Sequence, residues 1–106
     1  MQPDINQMMR NVAKMQEAME KLQTELAQTP VTGSAGGGAV SVTCTGALDF
    51  TAVKIKPDAV DASDVGMLED LILTAIKDAC QKAKELGEQK MGKQLKDIKL
   101  PPGLGF

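Results

Sequence analysis

Between Ile5 and Leu26 the apolar residues fall at Ile5, Met8, Val12, Met15, Met19, Leu22 and Leu26, in steps of 3, 4, 3, 4, 3 and 4. That is a complete a/d repeat over three heptads, and the positions between are mostly Gln, Glu, Lys and Asn. So narrow a stripe fits a second helix better than the broad face of a globular core. Asp4 after Pro3 is placed to cap the helix, with Gln7 three residues on to reach back as in a capping box. Thr29-Pro30 stops it, because proline cannot continue the hydrogen-bond ladder. The spacing predicts a helix over residues 4–28, about 37 Å long at 1.5 Å per residue. Methionine at several seam positions favours adaptable packing. The expectation is an assembling, partner-binding protein, not an enzyme. Periodicity leaves open whether the seam pairs with its own copy, with the second helix, or with both.

After Pro30 the period changes. Val40, Val42 and Cys44 alternate with Ser41, Thr43 and Thr45, as in a half-buried strand ending at Gly46. Thr51, Val53 and Ile55 alternate with Ala52, Lys54 and Lys56 in another strand that stops before Pro57. Pro30 to Ser34 is a weaker strand, joined to the next through Gly36-Gly37-Gly38. An acidic turn from Asp58 to Asp64 follows, and then the helical period returns. Leu68, Leu71, Ile72, Ala75, Ile76, Ala79, Ala83 and Leu86 form a broader stripe, whose alanines would let the helix sit close to the sheet. Gly87 is a weak point, with a looser helix expected from Glu88 to Lys96. The chain is thus read as one α+β domain of order α-β-β-β-α. A helix spans 1–29, an antiparallel meander 30–57, a second helix region 64–96, and an apolar Pro/Gly tail 97–106.

The absences narrow the function. With no histidine, the side chain most used for acid–base work near neutral pH is missing. With no Trp or Tyr, and only Phe50 and Phe106, there is no aromatic platform for stacking bases of a single strand. Cys44 and Cys80 lack metal-ligand spacing and read as small buried residues, kept reduced in a cytoplasmic chain. Gly33 and Gly38 have the spacing of a phosphate-binding loop, but Ala39-Val40 stands where Lys and Ser or Thr are needed, so a hairpin turn is expected. Asp58, Asp61 and Asp64 do not line up as a calcium loop and read as a solvated turn ahead of a helix N-terminus. No cofactor, metal or catalytic residue is expected. No apolar run reaches the roughly 18–20 residues of a membrane span, and no signal-peptide pattern opens the chain, so a cytoplasmic location is expected.

Formal charge is −2, unevenly spread. Residues 58–76 carry five acids and no base, whereas residues 77–106 carry seven lysines against four acids, a net +3. In the first helix Arg10, Lys14 and Lys21 lie off the seam. In the second, Lys82, Lys90, Lys93 and Lys96 are candidates for a basic edge. An ordinary solvated face with i,i+4 pairs such as Glu17–Lys21 describes them. So does a set of phosphate contacts, which need no particular base sequence.

Several strings, in this order, resemble the YbaB/EbfC family of bacterial nucleoid-associated proteins. They are Met15-Gln16-Glu17-Ala18-Met19 in the first helix, Val31-Thr32-Gly33 before the glycine turn, and Gly38 to Gly46. Met67-Leu68-Glu69-Asp70-Leu71 opens the second helix, and Leu100-Pro101-Pro102-Gly103 lies in the tail. The resemblance implies a homodimer with a shared sheet core and long helices projecting as arms. It also implies binding of double-stranded DNA with little sequence preference, at the nucleoid, in organising the chromosome or influencing expression. Arg10, Lys14, Lys21, Lys82, Lys90, Lys93 and Lys96 are the positions in those helices that could touch DNA. The alternative is an adaptor that engages a protein of replication or repair through the helical seam and tail.

Overall fold

Asp4 does cap the first helix: its carboxylate accepts the Gln7 N–H at 3.2 Å. In the computed structural model, which describes residues 4–96, helix α1 runs Ile5–Gln28 and strands β1, β2 and β3 run Pro30–Ala35, Val40–Thr45 and Phe50–Ile55. A 3-10 turn at Pro57–Ala59 leads to helix α2, Val65–Lys96. The expected α-β-β-β-α order and the antiparallel meander are both present, with strand order β1-β2-β3. Residues 97–106, read from sequence as an apolar tail, lie outside the described residues. So do the side chains of residues 95 and 96.

Helix α2 lies across one face of β1 and β2, where Val40, Val42, Cys44, Ala35, Ala75, Ala79 and Ala83 are buried. The approach is close because Gly33 faces it: a Cβ there would collide with the α2 backbone at Ala75 and Ala79. Gly36, Gly37 and Gly38 make the β1–β2 turn at positive φ, which glycine adopts without steric cost. Gly87 does not interrupt α2, which is continuous over 32 residues. A helical glycine costs about 1 kcal/mol relative to alanine. Leu86, packed over Gly46 beside Leu26, anchors the helix immediately before that point.

β3 departs from a half-buried pattern, since all six of its residues are exposed. Its partners in β2 explain which side is apolar. Ile55 stands opposite Val40 and Val53 opposite Val42, and a register shift at Thr43/Cys44 brings Phe50 opposite Cys44. Residues directly opposite share a face. The core face of the sheet therefore continues onto β3 as Phe50, Val53 and Ile55, beyond the cover of α2.

The seam of α1 is buried only at its C-terminal end. Leu22 and Leu26 are buried, while Met19, Met15, Val12, Met8 and Ile5 are exposed. In part, then, the seam pairs within the chain. The rest of α1 projects, giving extents of 75 × 23 × 16 Å and a radius of gyration of 20.3 Å, against about 13 Å for a compact chain of this length.

Candidate nucleic-acid interface

At 3.6 residues per turn, Arg10, Lys14 and Lys21 fall within about 40° of one another around α1, on the far side from the seam. All three are exposed. They extend over 11 residues, about 16 Å along the axis. Glu17 lies on the same flank, and α1 as a whole balances these three bases with Glu17, Glu20 and Glu25. The flank is a row of separated cations rather than a strongly positive field.

The α2 lysines are dispersed. Lys82 Nζ lies 3.1 Å from Asp78 Oδ2 and donates to the Thr32 carbonyl at 3.3 Å, at the outer edge of β1. Lys90 Nζ sits 3.6 Å from Glu25 Oε2, at the joint between the two helices. Lys93 is exposed, and Lys96 is the last residue of α2. The seven candidates are thus not one cluster: three share a flank of α1, and two of the four on α2 are engaged by acids of the same chain. Sequence reasoning passed over Lys77 and Lys84, which are exposed and one heptad apart. They lie on the side of α2 turned away from Ala75, Ala79 and Ala83. Their half-turn offset from the alanine stripe was the available signal.

Asp78 also accepts the Ser34 N–H at 2.9 Å. That bond first, and Lys82 second, hold its carboxyl below the usual carboxylate range. With Lys82 on the Thr32 carbonyl, the pair satisfies two backbone groups of β1 that point away from β2. Among the acids before α2, Asp61 accepts from the Ser63 hydroxyl and N–H, which lower its pKa, and Asp64 accepts the Met67 N–H at 3.2 Å as the cap of α2. Among the described residues, no three His, Cys, Asp or Glu side chains are grouped to hold a metal ion. Cys44 is buried and its thiol is pushed up, by desolvation first and by neighbouring Cys80 second. No described helix is long and apolar enough to cross a membrane.

The model of the YbaB/EbfC DNA-binding family matches residues 1–98. A protein of Dictyoglomus turgidum named nucleoid-associated protein is 46% identical over 96 residues, covering 91% of this chain and 92% of its own. A nucleoid-associated protein of Xanthomonas campestris pv. campestris is 45% identical over 104 residues, covering 98% and 96%. The crystal structure of an uncharacterised protein from Helicobacter pylori shares the fold, with a TM-score of 0.76 at 20% identity, covering 89% of this chain and 99% of that one. The arrangement of a projecting α1, a three-stranded meander and a covering α2 is therefore a shared one, and the chain belongs to the YbaB/EbfC DNA-binding family.

Proposed function

We propose that this protein binds double-stranded DNA as a homodimer, largely without sequence preference, and acts at the bacterial nucleoid in the cytoplasm. The observation that carries the reading is the flank of α1: Arg10, Lys14 and Lys21 aligned along about 16 Å, exposed, and clear of the apolar seam. Such a row meets successive phosphates and reads no base edge. Its binding energy comes from released counterions, so a net-negative chain can bind through a local row of cations, here interrupted by Glu17. Family membership and the names of the relatives support the same reading.

The homodimer is supported by the sheet. At β1, Asp78 and Lys82 occupy outward backbone groups, whereas β3 offers both an unpaired edge and the apolar side chains Phe50, Val53 and Ile55. A second copy placed on β3 by two-fold symmetry would cover them reciprocally.

A salt titration of duplex binding by fluorescence anisotropy tests the DNA contact. The affinity should fall steeply with salt, and Arg10→Ala/Lys14→Ala/Lys21→Ala should flatten the slope of log K against log salt by about 3 per protomer. Equal slopes for variant and wild type would move the contact off α1, and salt-independent binding would refute it. An adaptor role toward a protein of replication or repair is favoured by one observation, the exposed apolar half of the seam. Partners recovered from a bacterial lysate that persist after nuclease digestion would support it.

A further inference from the structure

Exposure along the seam rises from 2% at Leu22 to 44% at Met19 and 67% at Ile5. The rise begins where the partner helix runs out. Leu26 and Leu86 meet over Gly46, and Lys90 reaches Glu25, so α1 and α2 run antiparallel at this joint. Beyond Lys90, α2 continues for six residues, which brings Lys96 level with about residue 19 of α1. Ile5 lies about 21 Å further along.

We propose that residues 97–106 fold back along α1 and cover the open part of its seam, Ile5, Met8, Val12 and Met15, within the same chain. The reach is sufficient: ten residues span up to about 33 Å extended and about 31 Å as polyproline II. The chemistry matches as well. Ile98, Leu100, Leu104 and Phe106 supply apolar groups, and Pro101-Pro102 favours an extended path and lowers the entropy lost on docking. Methionines at positions 8 and 15 adapt to an irregular partner better than branched residues would. A segment leaving α2 beside the seam has an effective concentration of about millimolar, which favours it over a second copy at micromolar concentration. The inference goes beyond the DNA-binding proposal and does not depend on it.

The chain has no Trp or Tyr, so Phe106→Trp introduces a single indole reporter into the full chain. Its emission should be blue-shifted and protected from a soluble quencher. The further pair Met8→Glu and Val12→Glu, at exposed positions that leave the helix intact by circular dichroism, should return it to the emission of the denatured chain. Dilution through any dimer dissociation followed by light scattering should leave it unchanged. Leu104→Trp repeats the test in case tryptophan at 106 itself disturbs docking. Water-like emission from both reporters overturns the proposal, as does a blue shift that survives the glutamates. A blue shift lost on dilution assigns the seam to a second copy and overturns docking within the chain. All readings are made without DNA, so failure here leaves the α1–DNA proposal standing.

Discussion

Single residues set the closest approaches in this fold. The glycines at 33, 36, 37 and 38 all look like turn residues in the sequence, and the last three are. Gly33 instead lies under α2, with Ala75 and Ala79 against it. Its role was invisible locally because the colliding backbone comes more than forty residues later, whereas the alanine stripe of α2 announced a close approach by its size alone. Gly33→Ala should cost about 3 kcal/mol, at the upper end for overpacking, measured as a lowered urea midpoint. Leu48 is the only non-glycine among the described residues at positive φ, 66°, in the β2–β3 turn. A left-handed conformation costs an L-residue roughly 1–2 kcal/mol, partly offset by the entropy glycine loses on folding. Leu48→Gly should therefore stabilise the chain by about 0.5–1 kcal/mol and Leu48→Val destabilise it, since a β-branched residue fits that region worst; thermal unfolding of the two variants checks both signs.

At the level of elements, period and punctuation located both α-helices and the three strands of the described residues, because capping residues, prolines and alternation are local. How those elements are covered was not local. β3 has the alternation of a half-buried strand, yet α2 does not extend over it. The register shift that brings Phe50 opposite Cys44 leaves no mark in the residue pattern. The α1 seam was legible as apolar from end to end, but its division into a buried end and an open end follows from where α2 stops. The charged flank of α1 was readable from spacing alone, whereas the engagement of Lys82 and Lys90 required the acids that face them from elsewhere in the fold. The link from α2 to β1 has a pH signature. Asp78 titrates below its unfolded value, so its contribution is full above the unfolded carboxylate pKa of about 4 and is lost as pH falls through the depressed folded value. Asp78→Asn should lower the melting temperature at pH 7 and show a smaller further loss on acidification to pH 3 than the wild type does.

The whole molecule exposes 7936 Å², against about 5,700 Å² for a compact monomer of its mass. The projecting α1 and the uncovered side of β3 contribute to that excess. In the proposed dimer a lysine at Val53 would replace a buried side chain by a charge in each copy. Losing even the apolar burial, about 1.5–3 kcal/mol per copy, raises the dissociation constant at least a hundredfold. Light scattering of Val53→Lys at micromolar concentration should accordingly give the monomer mass. Unchanged mass would place the contact elsewhere.

The hold of Asp78 and Lys82 on β1 has a consequence for stoichiometry. A sheet with two open edges can add copies at both ends and has no built-in stopping point, which is the geometry of fibres. Here two outward groups of β1, the Ser34 N–H and the Thr32 carbonyl, are already engaged from within the chain, which obstructs strand addition there and leaves β3 as the open edge among the described residues. In the proposed dimer, pairing through β3 would then favour closure at two copies over open-ended growth.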